Sequence, residues 1–186
     1  MRLCRSILLL LLAAPVAAQT TPEYLHPSQT GPHGSAPGMK VKLLSAAGPQ
    51  REYAVILSPG DEALSGLTKF AADYHVEAAH FTAIGALKGA TLGWFDPVKK
   101  MYKTIPVNQQ VEVLSMVGDI AVANGKPAVH THMVVGLPDG TTRGGHVIAA
   151  YVNPTLEVMV TVDPGPLYKK YDPATTLTLI DPDAKQ

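Results

Sequence analysis

Apolar and polar positions alternate along most of this chain, and the first clear run is residues 51–57, Arg-Glu-Tyr-Ala-Val-Ile-Leu. That run predicts the first strand of a domain, closed by Ser58-Pro59-Gly60. The period then changes. Leu64, Leu67, Phe70, Ala71 and Tyr74 recur at helical spacing, so residues 61–74 predict a helix with one face on a sheet. Asp61 reads as its cap and Glu62 as a first-turn acid complementing the helix dipole; catalytic carboxylates are the competing reading. Short apolar or alternating runs follow at Ala78–Ile84, Ala90–Phe95, Met101–Ile105, Val111–Val122, Ala128–Val135, His146–Val152 and Leu156–Val162. Gly85, Asp96-Pro97, Asn124-Gly125, Asp139-Gly140 and Asn153-Pro154 punctuate them. One helix followed by about seven strands predicts an antiparallel α+β domain with the helix covering one sheet face.

The ends of the chain lack this patterning. Residues 19–39 are rich in Thr, Pro, Ser and Gly and read as a flexible leader, in which His26 and His33 are incidental. The domain is expected over 40–165. Residues 166–186 read as a C-terminal tail with at most an edge strand at Leu177–Ile180. Residues 1–18 are set apart by Arg2 and Arg5, an unbroken apolar run from Ile7 to Ala14, and the small residues Val16-Ala17-Ala18. They predict a secretory signal peptide cut after Ala18, because the apolar run is shorter than the roughly 20 residues of a membrane span. The mature protein is therefore expected in the periplasm or outside the cell.

Composition agrees with one globular domain. Of 186 residues, 46% are hydrophobic and 16% charged, and 16 glycines with 16 prolines favour a turn-rich sheet fold over a helical bundle. The only cysteine, Cys4, lies in the signal segment, so the mature chain has no disulfide, thiolate ligand or cysteine nucleophile. Loss of Arg2 and Arg5 leaves 13 basic against 15 acidic residues, which argues against a nucleic-acid binder held by phosphate contacts.

The chemistry concentrates at His130-Thr131-His132, Asp139-Gly140 and Gly144-Gly145-His146. Histidines two apart on a strand share a face. A reversal around Asp139 pairs positions whose numbers sum to 278, which places His146 opposite His132. Three imidazoles on one patch are the protein ligands of an open zinc site. Half-exposed strand histidines, hydrogen-bonded along one face, are the competing reading.

Neighbouring residues are weaker candidates. His80, within an apolar strand, reads first as a core or cleft histidine and second as a fourth ligand or proton relay; His75 follows the helix as a C-terminal cap. Glu157 interrupts an apolar strand and is a candidate general base, ligand or ligand-orienting carboxylate. Its competitor is an outward strand residue, since Thr155, Glu157, Met159 and Thr161 share a face. Arg143, near the turn, is a candidate clamp for a substrate carboxylate or else an exposed hairpin arginine. Gly144 and Gly145 predict close backbone approach or positive φ. Ser58, Ser65 and Ser115 have no Gly-x-Ser-x-Gly context, so a serine hydrolase is a poor fit.

Several segments carry a family resemblance in consistent order: Gly60-Asp61, Phe81-Thr82-Ala83-Ile84-Gly85-Ala86-Leu87, Leu92-Gly93-Trp94-Phe95-Asp96, Gly118-Asp119-Ile120, the three histidines, and Pro154-Thr155-Leu156-Glu157. Over about residues 40–162 the chain resembles the plants-and-prokaryotes conserved (PPC) domain. The resemblance implies a strongly bent antiparallel sheet with one main helix, assembly as a homotrimer, and a metal, zinc first, on His130, His132 and His146. Plant members join this domain to an AT-hook, which this chain lacks, so their DNA-binding label is not expected to carry over. A more distant resemblance, in fold and histidine site, is to α-acetolactate decarboxylase and related zinc ester hydrolases. It implies a metal-dependent lyase or hydrolase in which zinc polarises a carbonyl or activates water, with Glu157 or Arg143 assisting. A small oxygen-containing ligand is expected, and a non-catalytic binding or assembly module with a structural metal is the alternative.

Overall fold

The structure, a computed structural model, describes residues 23–185, so the expected signal peptide lies outside the described residues. In chain order the elements are β1 (Tyr24–Leu25), a 3-10 turn (Pro27–Gln29), β2 (Lys40–Ser45), β3 (Arg51–Leu57) and α1 (Ala63–Asp73). Then come β4 (Ala79–Asp96), β5 (Met101–Val107), β6 (Val111–Ala123), β7 (Lys126–Gly136), β8 (Thr142–Val162), β9 (Lys169–Asp172) and β10 (Leu177–Ile180).

Eight strands form one antiparallel sheet in the order β1-β5-β4-β6-β7-β8-β3-β2, and β9 with β10 forms a separate hairpin. A further pairing of β4 with β8 closes β4, β6, β7 and β8 into a ring. Closure on this scale requires long, bent strands. The predicted runs Ala78–Ile84 and Ala90–Phe95 are indeed one strand, β4, and the runs on either side of Asn153-Pro154 are likewise one strand, β8. At Gly85 the backbone bends instead of turning: φ is +150°, the register shifts there, and a Cβ would lie 2.3 Å from the Thr155 carbonyl oxygen.

The helix packs as its spacing predicts, burying Leu64, Leu67, Phe70 and Ala71. Tyr53, Phe70 and Tyr74 form an aromatic cluster with ring centroids 5.1–5.3 Å apart. The cap, however, is Glu62 and not Asp61. Asp61 turns away to accept from the Ser58 and Gly38 amides, both at 2.9 Å. Glu62 Oε1 accepts from Leu64 N and Ala150 N, and Oε2 from Ser65 N and Ser65 Oγ.

The segment expected as a flexible leader is held against the domain from residue 23 onward. Tyr24 pairs with Lys103, its ring lies 3.7 Å from Lys99 Nζ, Ala36 is buried, and Glu62 N donates to Ser35 O. These are backbone bonds and single side-chain contacts, which leave no apolar periodicity in the sequence. The C-terminal residues likewise form a hairpin docked on β6, with Val122 N donating to Leu167 O at 2.8 Å. No helix among the described residues is long and apolar enough to cross a membrane.

Candidate metal centre

The turn at Asp139-Gly140 sets the register as expected: His132 lies opposite His146 on β7 and β8, and His146 also faces Gly93 of β4. Period-two alternation puts His130 beside His132. The three ring centroids are 5.1, 5.3 and 5.5 Å apart, and one potential ligand nitrogen from each ring lies within 4.8 Å of the other two. Glycines let the strands approach here. A Cβ on Gly145 would lie 2.6 Å from Gly93 O, and one on Gly118 would lie 2.4 Å from both His130 O and the Phe81 ring. Close approach, rather than a positive φ, therefore explains Gly145.

Each imidazole has a different environment. His146 is buried and stacks on Tyr102 at 4.6 Å with 13° between the planes, while His130 is half-buried and His132 is exposed. His130 Nδ1 lies 3.3 Å from Asp119 Oδ2, an arrangement that fixes the ring and leaves its other nitrogen for a metal. Asp119 in turn pairs with Lys169 of β9, whose side chain is 4% exposed and whose Nζ also donates to Ala128 O. Burial alone would raise the Asp119 carboxyl, but the His130 hydrogen bond and the Lys169 ammonium outweigh it and hold it below the usual range.

Burial lowers His146 to about 3, with the positive charges of His130, His132 and Lys169 adding to the effect; burial and His130 also lower His132. Neutral imidazoles are the form that binds metals. The buried His146 Nδ1 has no hydrogen-bond partner, whereas Asp119 Oδ1, the other buried side-chain atom without one among the described residues, has the Lys169 ammonium beside it. Donor type, clustering and the unpartnered His146 nitrogen all fit a divalent transition metal, and the three histidines can hold one.

The His146 environment has a consequence for pH. A folded-state value below the unfolded 6.5 means that the unfolded chain takes up the proton first. Stability is therefore full above pH 6.5 and is lost as pH falls from there toward 3. Between about pH 7.5 and pH 5, His146 should cost the metal-free protein about 2 kcal/mol that a His146→Asn variant does not lose. Urea unfolding of both proteins at the two pH values measures the difference, and parallel losses would refute it.

The other sequence candidates lie elsewhere. His80 is exposed, because Ala79 and Phe81 take the inward positions, and its Nδ1 is 3.6 Å from Asp163. His75 sits past the helix end with φ 51°. Arg143 donates to Pro106 O at 2.8 Å, and Glu157 is exposed on β8 opposite Ile56 and Ile84, eleven residues beyond His146. Neither lines the histidine cavity. Sequence reasoning passed over Asp119, Tyr102 and Lys169. Asp119 was within reach: a reversal at Asn124-Gly125 places it opposite His130, as the structure does.

The centre opens into a cavity of about 780 Å³. The Pro27–Gly31 region and the β9–β10 hairpin line it together with β4, β5, β7 and β8.

No curated protein matches this chain. Among solved structures, a plant- and prokaryote-conserved (PPC) protein of Pyrococcus horikoshii is 27% identical with a TM-score of 0.67, covering 79% of this chain and 97% of that one. A metal-containing protein of Archaeoglobus fulgidus is 28% identical with a TM-score of 0.66, covering 76% and 96%. A Bacteroides thetaiotaomicron protein with a provisional DNA-binding label has a TM-score of 0.70 at 24% identity, covering 76% and 96%, a likeness in fold alone. The family model of the Plants and Prokaryotes Conserved (PCC) domain matches residues 44–163, the span that contains the bent sheet and all three histidines, and the chain belongs to that family.

Proposed function

We propose that the protein is an exported homotrimer that binds zinc through His130, His132 and His146 and uses it to bind or transform a small oxygen-containing molecule. The observation that carries this reading is the convergence of three nitrogen donors on one patch of a cavity. A cavity at the donors favours a ligand-binding centre over a closed structural one. Bound there, zinc would supply Lewis acidity toward a ligand oxygen. His130 is the ligand whose orientation Asp119 fixes, and Tyr102 packs the face of His146.

The trimer rests on the family resemblance, and the outer face of the ring supports it. Ile84, Leu114, Val117, Val134 and Met159 are large apolar residues exposed on adjacent strands, and Val117 pairs directly with His132. Contiguous apolar surface of this kind marks an interface. Arg143 and Glu157 lie outside their own chain's cavity, so either takes part only across a subunit boundary. DNA binding is the weaker reading, since 13 basic against 15 acidic residues in the mature chain give no phosphate-binding excess.

The test is metal analysis and solution mass of the purified mature protein beside a variant with all three histidines replaced by alanine. Zinc near one per chain in the parent, none in the variant, and a mass of three chains are expected. Equal zinc in both proteins overturns the metal reading, and a monomer mass overturns the assembly.

A further inference from the structure

Two segments outside the family match, residues 26–32 and the β9–β10 hairpin, stand over the histidines. Both segments line the cavity, so part of its shape and chemistry comes from residues that the family model does not cover. About 780 Å³ lies within the range that encloses a drug-sized molecule.

The lining is unusual in charge. No acidic side chain lines the cavity among the described residues, while Lys169 and the three clustered histidines do. Lys169 Nζ is engaged by Asp119 and Ala128 O, and an ammonium has three N–H donors, so one remains beyond these two. The Asp119 charge offsets Lys169, and a bound divalent metal leaves the floor net positive. The walls are flat and apolar: Trp94, Phe95 and Tyr102 come from the domain, and Tyr171, Leu177 and Leu179 from the hairpin.

We propose that this roofed cavity binds a small carboxylate with an aromatic body, its carboxylate toward the histidines and Lys169 and its ring between Trp94 and the β9–β10 hairpin. The inference rests on the metal reading above for part of the positive charge. Lys169 and the exposed roof residues Tyr171 and Leu179 make selectivity a property of the tail. The cavity rejects neutral isosteres for lack of charge and acetate for lack of a ring.

Trp94 is the only tryptophan and lines the cavity, so its fluorescence reports binding without any assay of turnover. The zinc-loaded mature protein is titrated with benzoate, 3-phenylpropionate, benzyl alcohol and acetate, with zinc content measured on each sample. The phenyl carboxylates should change Trp94 emission saturably and bind at least about tenfold more tightly than benzyl alcohol or acetate, about 1.4 kcal/mol. A Tyr171→Ala/Leu179→Ala variant should lose about tenfold in benzoate affinity while keeping its zinc and its circular dichroism. Equal binding of benzyl alcohol, equal binding of acetate, or unchanged benzoate affinity in the variant overturns the proposal. Zinc bound with no response to phenyl carboxylates overturns it while leaving the metal reading intact. A carboxylate preference that persists in protein binding no zinc supports the cavity assignment through the remaining Lys169 N–H and overturns the metal's share of it together with the metal reading.

Discussion

Asp119→Asn is expected to weaken the zinc binding proposed above about 10- to 100-fold and to destabilise the fold by roughly 3 kcal/mol. The two losses have separate causes. The carboxylate lies 3.3 Å from His130 Nδ1, where it would strengthen that imidazole as a ligand for the proposed zinc; asparagine can still accept a hydrogen bond but carries no charge. The same carboxylate pairs with Lys169, whose side chain is only 4% exposed, and asparagine leaves that buried ammonium without its counter-charge. Removing one partner of a buried pair costs more than the pair contributes, because the remaining charge stays desolvated. An Asp119→Asn/Lys169→Met double variant should therefore recover most of the stability, read by urea unfolding of the metal-free protein. Its zinc affinity, read by competition with a chromophoric chelator, should stay low. Recovery of affinity in the double variant would mean that Asp119 serves only to neutralise Lys169.

The second large effect lies far from the histidines. Glu62 is 1% exposed, and four donors converge on its two carboxyl oxygens at 2.6–3.3 Å. Two belong to the first turn of α1, one is the Ser65 hydroxyl, and Ala150 N comes from β8, so a single side chain caps the helix and ties it to the ring. Glu62→Ala should destabilise the protein by about 3 kcal/mol, combining the lost cap with buried amides left unpaired. Glu62→Gln should cost less, since it keeps the volume and one acceptor oxygen while turning an NH2 group toward donors. Denaturant midpoints for both variants check the order, and an alanine variant as stable as the parent would refute it.

The site was legible where the reasoning used period and turn together. Alternation placed His130 and His132 on one face, and the Asp139 reversal gave the His132–His146 register that is observed. The PPC-like fold was legible through the same short motifs. What escaped were features with no periodic signature. Gly85 and Asn153-Pro154 read as breaks because glycine and proline usually punctuate strands, yet in β4 and β8 they fall within continuous strands. Residues 23–39 and 167–180 carry few apolar repeats, because backbone hydrogen bonds and single contacts such as Tyr24 on Lys99 and Lys169 on Asp119 hold them. Glu157 was drawn toward the site by its place in an apolar strand; distance along β8 separates it from the histidines of its own chain.

The ring closure by β4 has one more consequence. His146 stands on a strand with a bonded neighbour on each flank, β7 through His132 and β4 through Gly93. The donors are therefore set in place by backbone pairing that owes nothing to the ion. In a zinc finger the metal and the fold arrive together, and a chelator undoes both. Here the three histidines stand on strands paired to their neighbours by backbone bonds, so under the zinc reading proposed above a chelator is expected to remove the metal and leave the fold, read by circular dichroism.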